Sequence, residues 1–244
     1  MPARSEARRD PRVQTPGQAA PATGAPDRFA LAAGAHVRRA LLDSRRGAVP
    51  FRHWTLREAL PAPLWRLLLA LPFAPPAIAD TAGRRETHNA SRLFVSEDTR
   101  VRLPACAALA EAFQDEATVG LLGDLCGVDL AGSFLRIECC LDTAGFWLEP
   151  HTDIGAKRLT LLIYLSRHPD AANWGTDLLD AAGRLVARAS GAFNTGLLFV
   201  PGADTWHGFA PRPIAGVRRS LIVNYVGPEW RARHELAYPE QAVA

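Results

Sequence analysis

Apolar residues recur at helical spacing through the first half of the chain and at strand spacing through the second. Residues 28–43 carry their apolar positions three and four apart, which predicts an amphipathic helix. Val49 to Leu56 alternates like a strand, and Arg57 to Leu71 returns to helical spacing through Leu60, Leu64, Leu67, Leu68 and Leu71, with Pro61 and Pro63 near its start. Pro72 to Leu103 is irregular, and Pro104 to Cys126 reads as a third helical region. From Gly132 onward the chain breaks into short runs: Ser133 to Leu141, Leu159 to Leu165, Thr176 to Leu179, Arg184 to Ala187, Gly196 to Val200 and Arg219 to Val226. Such runs, separated by turns such as Ala182-Gly183 and Pro201-Gly202, predict a β-sandwich or double-sheet jelly roll. The run Leu159 to Leu165 is almost wholly apolar and should be buried on both faces, with helices of the first half covering one sheet.

The expected organisation is a leader over residues 1–26, rich in Pro, Ala, Gly and Arg and too poor in apolar surface to order itself, followed by one domain over 27–244. Within that domain, helical support spans about 28–127 and a β core about 132–227. A hydrophobic fraction of 48% and a charged fraction of 22% are those of an ordinary globular protein. The formal net charge of +3 comes without a basic stripe interleaved with aromatics, so no nucleic-acid partner is expected. No apolar run is long enough to span a bilayer, and no secretory pattern opens the chain. Cys106, Cys126, Cys139 and Cys140 form no C-x-x-C pair, which fits reduced thiols and a cytoplasmic location.

The chemistry gathers on His151-Thr152-Asp153. In an extended segment the imidazole and the carboxylate project to the same side, and His207 offers a second imidazole. Two histidines and one carboxylate on one side of a metal leave the opposite positions open, the arrangement of non-haem Fe(II) sites. A zinc hydrolase also fits three such ligands, but it gives no reason for the residues that follow. Eleven residues after His207 stands Arg218, with Ser220 on the same side of the next strand, a pair suited to gripping a carboxylate; Arg219 faces the other way by parity. His53 lacks a neighbouring ligand and reads as structural.

Taken in order, His151-Thr152-Asp153, the strand Leu159 to Ser166, Trp174-Gly175-Thr176-Asp177-Leu178, Phe199-Val200-Pro201-Gly202 with Trp206-His207, and Arg218-Arg219-Ser220-Leu221 resemble the Fe(II)/2-oxoglutarate-dependent oxygenase superfamily, in its prolyl-hydroxylase-like branch. The resemblance covers roughly residues 132–227. It departs where many relatives carry two successive glycines and this chain has Gly175-Thr176. It implies a mainly β fold with flanking helices (α+β), a double-stranded β-helix of the jelly-roll, cupin-like kind with N-terminal helices packed on one sheet. It further implies Fe(II) held by His151, Asp153 and His207, with 2-oxoglutarate and O2 as co-substrates. Arg218 would take the distal carboxylate, helped by Ser220 and by Tyr164 and Thr160 on the strand after the H-x-D.

A carboxylate ligand at Asp153 fills the position that halogenating relatives leave for chloride, so the implied outcome is hydroxylation of an unactivated C–H with release of succinate and CO2. The expected substrate is a small molecule, an amino acid or natural-product intermediate. A peptidyl or protein hydroxylase and a non-catalytic 2-oxoglutarate-binding sensor are the alternatives. Substrate contacts are expected among Arg136, Glu138, Trp147, Glu149, Trp174 and the segment His88, Asn89 and Arg92.

Overall fold

Seven strands form one antiparallel sheet and four form another, and the helices lie on the outer face of the larger. This computed structural model describes residues 25–75, 77, 82–84 and 92–244. Helix α1 is Ala25–Leu42, followed by the short strands β1 (Arg45–Gly47) and β2 (His53–Leu56) and helix α2 (Ala62–Leu69). Strand β3 (Arg92–Phe94) leads to α3 (Glu97–Arg102), α4 (Pro104–Gln114) and α5 (Glu116–Cys126). The β region comprises β4 (Phe134–Asp142), β5 (Leu148–His151), β6 (Lys157–Tyr164), β7 (Asp177–Leu179), β8 (Leu185–Arg188), β9 (Thr195–Phe199), β10 (His207–Phe209) and β11 (Arg218–Val226). The large sheet runs β1-β2-β9-β6-β11-β4-β3 and the small one β5-β10-β7-β8.

Several expectations shift at the level of single residues. The region 104–126 is two helices, because Asp115 leaves helical geometry (ψ 126°) and its carboxylate accepts the Thr118 amide at 3.0 Å as the N-cap of α5. The same carboxylate lies 2.5 Å from Arg38 Nη1, which ties α1 to this break. Helix α2 starts only at Ala62, after Pro61. The segment expected to be irregular up to Leu103 contains β3 and α3, whose capping box joins Ser96 and Thr99. Helix α4 buries Ala105, Cys106, Ala108, Leu109, Ala110, Ala112 and Phe113, and its many small side chains let α1 approach closely.

Strand parity divides the large sheet. Leu159, Leu161 and Ile163 of β6, Leu221, Val223 and Tyr225 of β11, and Leu135, Ile137 and Cys139 of β4 join the helices in one core. Leu162, Tyr164, Leu197, Phe199 and Ile222 turn the other way and pack with Leu178 of the small sheet. The run Leu159 to Leu165 is buried throughout, as its composition predicts. Among the described residues, no helix is long and apolar enough to cross a membrane.

Candidate functional site

Strand β10 crosses β5 in antiparallel register with His207 directly opposite His151. Gly208 makes that crossing possible, since a Cβ there would lie 2.9 Å from the Leu148 carbonyl oxygen. The two imidazole centroids are 4.3 Å apart. Each ring has its Nδ1 against a carbonyl two residues earlier, His151 on Glu149 at 2.8 Å and His207 on Thr205 at 2.9 Å. A carbonyl only accepts, so Nδ1 carries the proton and each Nε2 lone pair is left for a metal. Asp153 follows β5, and one ligand atom from each of His151, Asp153 and His207 lies within 4.8 Å of the others.

Asp153 is held directly by Lys157 and Thr160, and through Thr160 by Asn224. Lys157 Nζ is 2.6 Å from Oδ1, Thr160 Oγ1 donates to Oδ2 at 2.8 Å, and Asn224 Nδ2 donates to Thr160 Oγ1 at 2.9 Å. Burial disfavours the charged carboxylate, but the Lys157 ammonium, His207 and the hydrogen bonds from Lys157 and Thr160 outweigh it and hold Asp153 well below the usual carboxylate range. Burial pushes His207 down to about 4, so both groups are in ligand form at neutral pH. Two imidazoles and a carboxylate, with no thiolate, form a donor set that fits non-haem Fe(II).

The three ligands line a cavity of about 650 Å³, an ordinary size for a small-molecule site. Arg218, 3% exposed, lies in the same cavity wall. Its Nε donates to the Trp174 carbonyl at 2.7 Å and its Nη1 to Asp142 Oδ2 at 2.5 Å, while Nη2 makes no hydrogen bond among the described residues. Phe146, Phe209 and Tyr164 surround the guanidinium, with centroids 5.5, 4.7 and 5.9 Å from its central carbon. Ser220 Oγ is buried without a partner among the described residues, and Ser220 does not line the cavity. Tyr164 is buried behind the wall, its hydroxyl 2.7 Å from Thr176 Oγ1. Arg219 faces away, as parity predicts, and its amide bonds Ser166 Oγ.

The expected substrate contacts separate. Arg136, Glu138 and Arg92 line the cavity but are joined in ion pairs: Arg136 to Glu138 at 2.9 Å and to Glu235 at 2.6 Å, and Arg92 to Glu138 at 3.1 Å. Glu149 is also in the wall. Trp174 is 2% exposed outside the cavity lining, stacked on His168 with its Nε1 donating to the Pro213 carbonyl. Trp147 lies against Gly83 rather than in the lining, and a Cβ on that glycine would come 2.4 Å from the indole. His88 and Asn89 lie outside the described residues. Asp142 and Asn224 have no spacing signature in the sequence and meet their partners through strand pairing, whereas Lys157 reaches Asp153 from four residues on and Thr176 meets Tyr164 across the two sheets.

No family model and no curated protein matches the sequence. Solved structures do. A prolyl hydroxylase from Trichoplax adhaerens, in complex with a peptide fragment of the hypoxia inducible factor oxygen degradation domain, aligns at TM-score 0.52 and 14% identity over 84% of this chain and 94% of that one. A 2OG-Fe(II) oxygenase family oxidoreductase from Burkholderia pseudomallei aligns at TM-score 0.51 and 18% identity, covering 84% and 91%. A prolyl 4-hydroxylase from Phytophthora capsici aligns at TM-score 0.54 and 12% identity, covering 86% and 68%. The two sheets and their helical cover thus share the jelly-roll fold of the 2OG-Fe(II) oxygenases.

Proposed function

We propose that this protein is an Fe(II)- and 2-oxoglutarate-dependent oxygenase that hydroxylates an unactivated C–H bond of a small molecule. The observation that carries this reading is the sharing of one cavity by the His151, Asp153 and His207 ligand atoms and the guanidinium of Arg218. A metal site and a carboxylate receptor in one wall suit a co-substrate that chelates the metal at one end and carries an acid at the other.

His151 and His207 would hold the iron through Nε2 and Asp153 through its carboxylate, with Thr160 and Asn224 fixing the carboxylate plane. Arg218 would receive the distal carboxylate of 2-oxoglutarate, and Asp142 with the Trp174 carbonyl fixes its guanidinium. Phe146, Phe209 and Leu148 give that wall an apolar lining that excludes water and strengthens the ion pair. Bound Fe(II) would activate O2, the oxidant, for oxidative decarboxylation of 2-oxoglutarate to succinate and CO2, with one oxygen atom going to succinate and the other to the substrate.

The test is anaerobic calorimetry of 2-oxoglutarate on the Fe(II)-loaded protein, followed by succinate measurement after O2 is admitted. Binding of 2-oxoglutarate with slow uncoupled succinate formation is expected. Failure to bind it in the presence of iron defeats the proposal; binding without succinate formation would make the protein a sensor. A screen of amino acids, natural-product intermediates and proline-containing peptides, read as succinate release and a gain of one oxygen by mass, identifies the substrate class.

A further inference from the structure

The hydroxyl of Tyr164 is fully buried and meets one residue twice. It accepts the Thr176 amide N–H at 3.2 Å and lies 2.7 Å from Thr176 Oγ1. A phenol has one proton to donate, and the described residues offer it no acceptor other than Thr176 Oγ1. Leaving that buried proton unpaired is unfavourable, so Tyr164 donates and Thr176 Oγ1 accepts. The proton of Thr176 itself is then left over.

Thr176 lines the cavity, whereas Tyr164 does not. The segment that carries Thr176 also receives Arg218, whose Nε donates to the carbonyl of Trp174 two residues earlier. Two donors without partners among the described residues therefore stand in one wall: Nη2 of Arg218 and the hydroxyl of Thr176. With Nε directed to Trp174 and Nη1 to Asp142, Nη2 is the guanidinium donor left for a carboxylate, and a second donor beside it would complete the grip.

We infer that Thr176 binds the distal carboxylate of the co-substrate directly, beside Arg218, and that Tyr164 is a positioning residue that aims the Thr176 hydroxyl. This rests on the proposed 2-oxoglutarate dependence of the site. The side chain of Thr176 stands between Tyr164 and the cavity, so it sets the depth of the subsite as well as its polarity.

The test uses Fe(II)-loaded protein under anaerobic conditions with two probes, 2-oxoglutarate and 2-oxobutyrate, which keeps the keto-acid end but lacks the distal carboxylate. Thr176→Val keeps the shape and removes the hydroxyl; it should raise the Kd for 2-oxoglutarate roughly 10- to 100-fold, the loss of one hydrogen bond to a charged group. The Kd for 2-oxobutyrate should not change. Thr176→Ser should bind 2-oxoglutarate like the parent, and Tyr164→Phe should weaken it less than Thr176→Val. Thermal midpoints of all variants establish that each is folded, and Thr176→Ala, which also lacks the hydroxyl and should show the same loss for 2-oxoglutarate alone, carries the test if the valine variant is not. Equal 2-oxoglutarate affinity for parent and Thr176→Val, or a larger loss from Tyr164→Phe, overturns the inference and leaves the proposed function standing. A parent that binds 2-oxobutyrate and 2-oxoglutarate equally removes the carboxylate subsite altogether, and one that binds neither removes the proposed function with it.

Discussion

Arg218 and Asp142 face each other across β11 and β4, Nη1 to Oδ2 at 2.5 Å, with both side chains no more than 3% exposed. Removing one partner of such a pair leaves a buried charge without compensation, which costs about 3–5 kcal/mol. Arg218→Met should therefore lower the unfolding free energy by that amount and abolish 2-oxoglutarate binding. The double substitution Arg218→Met with Asp142→Leu should recover most of the stability and none of the binding. Urea denaturation and calorimetry on the same samples measure the two effects separately.

Thr160 lies on the face expected to touch the co-substrate, but its single hydroxyl proton goes to Asp153 while Asn224 fills its acceptor side. Outer-sphere partners of this kind are worth about 10- to 100-fold in metal affinity. Thr160→Val should weaken Fe(II) binding by such a factor in the absence of any keto acid, and Thr160→Ser should restore it. Metal titration checks both, and a Thr160→Val protein with parental iron affinity would exclude this role.

The four cysteines are free and buried. Burial pushes the Cys106 thiol up to about 11, against roughly 8.5 in an unfolded chain. Between those values the unfolded chain has released a proton that the native state keeps, so stability is constant below about pH 8.5 and falls as pH rises toward 11. The loss at pH 10 should be on the order of 2 kcal/mol for this thiol. Urea midpoints at pH 7, 8.5 and 10 follow the effect; thiol reagents at pH 8 should label the unfolded protein and spare the native one.

Two glycines should respond in opposite directions to the same change. A Cβ on Gly175 would lie 1.7 Å from the Ala189 carbonyl oxygen, so Gly175→Ala forces the backbones apart and should destabilise by about 3 kcal/mol. Gly120 sits exposed inside α5, where an added methyl group would meet no atom within 4 Å, and Gly120→Ala should stabilise by about 0.4–1 kcal/mol through helix propensity and the unfolded chain. Thermal unfolding of the two variants tests the pair.

The long, doubly buried strands are readable because their parity is written in residue type. On β11 the positions of Leu221, Val223 and Tyr225 are apolar, while Arg218, Ser220 and Asn224 are polar and face the other way. Strands β5 and β10 have four and three residues, too few for a period to emerge, although the His-x-Asp pair and His207 mark both by chemistry. Helix α3 is invisible to periodicity because its sequence, Glu97 to Arg102, is almost wholly polar and is fixed by its capping box rather than by an apolar stripe. The partnerships Asp142–Arg218 and Thr160–Asn224 join segments distant in sequence that strand pairing brings together, and Tyr164–Thr176 forms where the two sheets pack face to face. In the sequence Thr176 registers simply as a side chain where relatives have glycine.

The division of β11 between two faces makes this strand intolerant of a change in register. A one-residue slip of β11 against β4 and β6 would turn Leu221, Val223 and Tyr225 into the cavity and drive Arg218, Ser220 and Asn224 against the helices. The anchor of the helical layer and the polar wall of the cavity would fail together. Single substitutions on β11 can therefore tune chemistry or stability one at a time, whereas a shift in its register must change both.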